Sequence, residues 1–178
     1  GQLNAIQAYG SSINVEKGAT LDLNGGTQFF GRISSFGLSS GAGGTITSSA
    51  AANLVLNSQG DNTFAGELTG ASLNFLRTGS WTTINFQSAS SFGGRFINAG
   101  GSFDLRDDGA LTGISELVVN YGRFQLLNNS NLQVQNNDRV RDQAPVFLRG
   151  GQIVVNGRVS TDASERFGAL TLDASSLI

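Results

Sequence analysis

The sequence predicts an all-β protein wound as a parallel β-helix, a β-solenoid, and three observations carry that expectation. Short apolar-x-apolar cores recur along the whole chain of 178 residues. Segments rich in Gly, Asn, Ser and Thr separate them, where tight turns need residues that tolerate unusual backbone angles. Helical periodicity is absent, because no window keeps an i, i+3, i+4, i+7 apolar face without a Gly or an Asn/Ser cluster breaking it. The segment that comes nearest to helix is "SERFGALTL", where Ser164, Glu165 and Arg166 could make one turn before Gly168 ends it.

Taken in order, the cores are "INV" from Ile13, "LDL" from Leu21, "LVL" from Leu54, "LNF" from Leu73 and "INF" from Ile84. "FDL" from Phe103, "LVV" from Leu117, "FQL" from Phe124, "IVV" from Ile153 and "LTL" from Leu170 follow. Leu54 to Leu73 gives a step of about 19 residues, in the range of a solenoid coil. Paired glycines at Gly25-Gly26, Gly43-Gly44, Gly93-Gly94, Gly100-Gly101 and Gly150-Gly151 mark corners. The stretch "LNFLRTGSWTTINFQ", Leu73 to Gln87, could be read as a hairpin. Asn-Gly and Asp-Gly turns do occur, at Asn24-Gly25, Asp108-Gly109 and Asn156-Gly157, but their spacing is irregular and the strands are very short. Two successive faces of one coil, with "RTGS" as the corner, is the better reading. Leu54, Leu73, Leu117, Ile153 and Leu170 then face inward, and the twelve Phe residues fill a thin interior. Asn residues, as in "NNSNLQVQNN" from Asn128 to Asn137, suit corners, where side-chain amides satisfy backbone groups.

Composition narrows the chemistry. Hydrophobic residues make up 39% of the chain, enough for a core, while only 13% are charged. A net charge of −2 with a single lysine, Lys17, gives no electrostatic footprint for nucleic acid. Arg139 and Arg141 are flanked by Asp138 and Asp142, so local pairing is expected there rather than a binding patch. Without cysteine there is no disulfide framework or thiolate metal site. Without histidine, Ser-His-Asp and Cys-His catalysis and most zinc chemistry are excluded. No apolar run approaches the ~18 residues of a membrane helix, so no membrane insertion is expected of this segment. The N-terminus shows no signal-peptide pattern, and the chain starts in mid-pattern at Gly1. The expectation is one continuous solenoid segment over 1–178, part of a longer repetitive protein.

The acidic residues deserve weighing, since parallel β-helices also house glycan-cleaving enzymes, which need two carboxylates across one bond. "FDLRDDGAL" offers Asp104, Asp107 and Asp108 around Arg106. Asp104, between Phe103 and Leu105, should face outward, and Asp107 and Asp108 read as a solvated turn before Gly109. A weak calcium site there is the lesser reading, because hard cations need more oxygens than this turn provides. Trp81, Tyr9 and Tyr121 could stack on sugars from an outer face, although packing in the core or at its rim is favoured for Trp81. No catalytic, cofactor-binding or metal-ligating residue is assigned, and no cofactor is expected.

Two blocks carry a family resemblance. In "ANLVLNSQGDNTFAGELTGASLNFLRTGSWTTINFQ", the residues Leu54, Leu56, Asn57, Thr63, Phe64, Gly66, Gly70, Leu73, Thr78, Gly79, Ile84 and Phe86 resemble the autotransporter-associated β-strand repeat of bacterial surface passengers. Trp81 departs from it, standing where a small residue is usual, and Phe86 stands where Leu is common. The block from Asn136 to Ile178 is similar to a second stretch of those passengers. Asp138, Arg139, Val140, Asp142, Ala144, Pro145, Leu148, Gly150, Gly151, Glu165, Gly168, Leu170, Leu172 and Ile178 fall on it, with Arg166 in place of Thr. The resemblance implies a right-handed single-stranded parallel β-helix on a bacterial surface, exported across the outer membrane. It implies a non-enzymatic structural or adhesive rod; the competing expectation is a polysaccharide-binding or glycan-cleaving β-helix. The partners expected are adjacent coils or copies, joined head to tail, and a host or surface glycan. The apolar ends, "QLNAIQAYG" with Leu3 and "SSLI" with Leu177, are expected to be uncapped coil edges that recruit more strand.

Overall fold

Three-residue apolar cores separated by glycine-rich corners can satisfy their backbone groups only by pairing with the turn before and the turn after, and the chain does this throughout. The computed structural model describes residues 8–58, 60–79, 81–128 and 134–173. It is an all-β solenoid of about seven turns with parallel strands and, among the described residues, no helix. The long face stacks eight strands in chain order: Ala8–Asn14, Thr27–Ser34, Ala52–Ser58, Leu73–Gly79, Arg95–Ala99, Glu116–Asn120, Val146–Arg149 and Leu170–Leu172. A second face stacks Asn62–Phe64, Thr83–Phe86, Ser102–Leu105, Arg123–Leu127 and Gln152–Asn156. A third carries Thr20–Asp22, Thr45–Thr47 and Glu67–Leu68, then Ala89–Ser90 and Ala110–Leu111. Ser91 N donates to Leu68 O at 2.9 Å, joining its two parts.

The ambiguous stretch Leu73 to Gln87 is therefore no hairpin. Leu73–Gly79 pairs with Ala52–Ser58 and Arg95–Ala99 on the long face, and Thr83–Phe86 pairs with Asn62–Phe64 and Ser102–Leu105 on the second. The corner comes after Gly79, not from Arg77 onward, because the strand runs on through Arg77, Thr78 and Gly79. The expected 19-residue step is also corrected. Leu54 pairs with Phe75 and Leu73 with Ala52, so the repeat is 21 residues. That step recurs from Phe75 to Phe96 and from Phe96 to Leu117, then lengthens to 29 between Leu117 and Val146. Glu165 lies in no helical turn; its carboxylate accepts from Arg139 N at 2.9 Å and Val140 N at 3.1 Å, tying one coil to the previous one.

The interior is a stack of phenylalanines between the long and second faces. Phe103 sits edge-on to Phe86 and Phe96, with ring centroids 4.7 and 4.6 Å away, edge-on to Phe75 at 5.6 Å and parallel to Phe124 at 6.1 Å. Leu54, Leu73, Leu117 and Ile153 are buried as expected. Leu170 occupies the same ladder opposite Val146 but is 46% exposed, because it lies on the last strand described. Core filling does not hold for every Phe: Phe29 and Phe36 are exposed, the latter on the loop that follows Thr27–Ser34.

Polar side chains form ladders of their own on the outside. Asn53 Nδ2 donates to Thr27 Oγ1 and Asn74 Nδ2 to Asn53 Oδ1, each at 3.0 Å. Asn74 Oδ1 then accepts from Arg95 N at 2.9 Å, and Arg95 pairs with Glu116. In the Asn-rich segment, Asn128 closes its loop by bonding both N and O of Asn136. The terminal stretches containing Leu3 and Leu177, and the side chain of Tyr9, lie outside the described residues.

Candidate functional site

The corner between the long and second faces is built mainly from glycine, because successive corners approach too closely for side chains. Gly101 has φ 55°, and a Cβ there would overlap the guanidinium of Arg77. Gly150 has φ 65°, and a Cβ would lie 2.7 Å from the Tyr121 ring. Two aromatic residues interrupt this glycine corner. Trp81 is 98% exposed and Tyr121 84%. Core or rim packing of Trp81 is thus overturned: the corner places its indole outside the sheet, beyond the reach of the interior. Tyr121 holds φ 51° in register with the glycine corner of the preceding coil. A non-glycine residue in that region stores roughly 1–3 kcal/mol of backbone strain.

Between the two rings runs an open cleft of about 420 Å³ lined by Trp81, Gly101, Ser102, Tyr121, Arg123 and Gln152, with Gly150 and Gly151 continuing its floor. Ligand clefts commonly fall in roughly this size range. Under the floor sits Arg77, fully buried and inward on its strand, its Nη2 donating to Thr82 O at 2.6 Å and Thr82 Oγ1 at 3.1 Å. Desolvation lowers its pKa to about 10, which leaves it charged at neutral pH.

The candidate carboxylates are arranged otherwise than expected. Asp104 points outward from its strand, yet it is 6% exposed. Gln125 on the next coil covers it: Nε2 donates to Asp104 Oδ1 at 2.8 Å and to Ser102 Oγ at 2.9 Å, while Ser102 Oγ donates to Asp104 Oδ1 at 2.8 Å. Burial raises the Asp104 pKa against the opposing effect of these bonds and of Arg106 and Arg123. Asp107 is half-buried in left-handed backbone with its pKa raised by burial, while Asp108 is exposed. Among the described residues, no group of three or more His, Cys, Asp or Glu could hold a metal ion.

Arg139 also departs from expectation. Rather than pairing with Asp138 at the surface, it is fully buried. Its Nη1 donates to Gly109 O at 2.6 Å, and Nη2 to Asn128 Oδ1 at 2.8 Å and Leu127 O at 3.2 Å. Gly109 lies at a corner of the preceding coil, and Leu127 and Asn128 stand where the strand Arg123–Leu127 gives way to the long loop of the 29-residue coil. Arg141 bonds Ile114 O at 3.3 Å, and Asp142 faces Arg166 at 4.0 Å.

Asp104, Asp107 and Glu165 share one consequence for pH, since burial raises all three pKa values. The folded chain then binds these protons more tightly than the unfolded chain. Their stabilising contribution is complete below the ordinary carboxylate range and is lost as pH rises through the raised folded values. The melting temperature should therefore fall as pH rises above the ordinary carboxylate range. Asp104→Asn should flatten that fall, which circular dichroism across that rise would check; an unaltered slope would remove Asp104 as a source. Asp22 acts in the opposite sense, its pKa lowered by hydrogen bonds from the Asn24 and Ser49 amides, but it is fully exposed and its effect is screened.

The class these features define is a parallel β-solenoid with an aromatic-walled cleft at one corner. Compared with protein-family models, curated proteins and solved structures, the chain matches none of them.

Proposed function

We propose that this chain is a non-enzymatic structural or adhesive rod, a segment of a bacterial cell-surface passenger of the autotransporter type. The observation that carries the rod is the unbroken eight-strand parallel ladder of the long face, which makes every coil an adaptor for the next. The surface passenger and its export rest on the repeat resemblance. Several residues of that pattern have structural positions: Leu54, Leu56, Phe64, Leu73, Ile84 and Phe86 are all buried along the interior. In the second block, Arg139 and Glu165 brace the wide coil. No helix among the described residues is long and apolar enough to cross a membrane, which says nothing of β-barrels.

Head-to-tail continuation belongs to the same proposal. The strand Leu170–Leu172 forms one edge of the described ladder and presents Leu170 and Leu172, 46% and 51% exposed. An edge of this kind offers backbone groups to another strand, and a heterologous contact propagates without closing. Concentrated chain should show oligomers or fibres by light scattering and electron microscopy. A monodisperse monomer at high concentration would sink the stacking, and release of reducing ends from polysaccharide would sink the non-enzymatic reading.

A further inference from the structure

We propose that the corner cleft binds a linear acidic polysaccharide, with pyranose rings stacked on Trp81 and Tyr121 and a sugar carboxylate held by Arg123. The site adds to the rod reading without depending on it. A rod can be right with an empty cleft, and the cleft can bind glycan on a chain that never stacks.

Three features of the corner converge on this ligand class. The first is spacing. Trp81 follows the strand Leu73–Gly79 and Tyr121 follows Glu116–Asn120, with Arg95–Ala99 between them. Two coil steps put their backbone positions about 10 Å apart along the axis. That separation suits alternate units of an extended pyranose chain, whose C–H faces lie flat on aromatic rings. The glycine floor lets the chain lie close to the backbone, and Ser102 and Gln152 provide hydroxyl and amide groups at its side.

The second feature is charge. Arg123 is the one charged side chain among those lining the cleft, and it is exposed. The buried Arg77 guanidinium lies directly beneath Gly101 in the floor. Arg123 faces the ligand and Arg77 adds positive charge from beneath the floor, so a uronate polymer is favoured over a neutral one. The third is the backbone at Tyr121. Its φ of 51° would suit glycine, the residue found in the neighbouring corners, so the phenol ring is retained against local strain. The ring lies against Gly150, where a Cβ would come within 2.7 Å of it.

Trp81 is the sole tryptophan of the chain, so its fluorescence reports on the site directly. The purified chain would be titrated at low salt with 1,4-linked hexuronate hexamers and, in parallel, with neutral β-1,4-glucose hexamers, by fluorescence and by calorimetry. A saturable change in emission with the acidic chain is expected, with neutral chains at least about tenfold weaker. Trp81→Ala and Tyr121→Ala should each weaken binding by about tenfold, the contribution of one stacked ring. Arg123→Gln should erase the preference for acid. Tyr121→Gly relieves the backbone and serves as the control for folding: it should melt cooperatively and still bind poorly. Absence of saturable binding to either hexamer, or undiminished calorimetric binding by Trp81→Ala, would overturn the site. Equal affinity for both hexamers would overturn the acidic assignment. Light scattering reads the rod hypothesis separately on the same samples.

Discussion

Replacing Phe103 with alanine should lower stability by about 3–5 kcal/mol, the range for emptying a large buried aromatic position. Phe103 is fully buried and its ring meets four others, those of Phe75, Phe86, Phe96 and Phe124. Those rings come from three successive coils, fixed in register by the long-face and second-face ladders. They cannot close over the gap without pulling the coils out of register, so the cavity persists. Phe36→Ala is the matched comparison: at 80% exposure it should change stability by no more than about 0.5 kcal/mol. Guanidinium unfolding followed by circular dichroism would measure both. A Phe103→Ala loss below about 1 kcal/mol would mean that the interior relaxes freely, contrary to a close-packed stack.

Arg139→Ala should be of similar severity, about 3–5 kcal/mol, for a different reason. The guanidinium satisfies carbonyls of Gly109 and Leu127 and the Asn128 amide oxygen, all at buried positions. Truncation removes these donors from buried Gly109 O and Leu127 O, while Asn128 Oδ1 keeps only the Asn136 amide. Arg139→Lys should recover only part of the loss, because an ammonium cannot span the same fan of acceptors. Unfolding curves for the two variants check the order; Lys equal to wild type would show that charge alone matters.

Much of the solenoid is legible in the residues because inward side chains alternate with outward ones and glycine marks the corners. The 21-residue repeat is not, and Ala52 is the reason. It is the rung opposite Leu73, yet an alanine does not stand out as the start of an apolar core. The strand Arg95–Ala99 is hidden in a similar way by Asn98, an inward polar residue whose Nδ2 donates to Arg123 O at 3.0 Å. Buried Arg77 and Arg139 defeat any reading in which charge means surface, since their partners are carbonyls exposed only by the coil's own geometry. Trp81 errs in the opposite direction. An apolar type invites placement inside, and only the offset of the corner after Gly79 shows that its ring stands in solvent. Asp104 was legible in direction but not in burial, because its cover comes from Gln125, 21 residues away.

The constant 21-residue register between Ala52 and Leu117 also bears on how the chain loosens. Each coil touches chiefly the one before and the one after, so the sequence separation of contacts does not grow as turns are added. Opening then proceeds as fraying from whichever edge is bare, one coil at a time, in the manner of a one-dimensional lattice. Amide protons in the coils around Phe103 should be the slowest to exchange, and those of Leu170–Leu172 among the fastest of the strands. A pull along the axis would meet resistance distributed over many equal steps, giving the rod the mechanics of a zipper and not of a single latch.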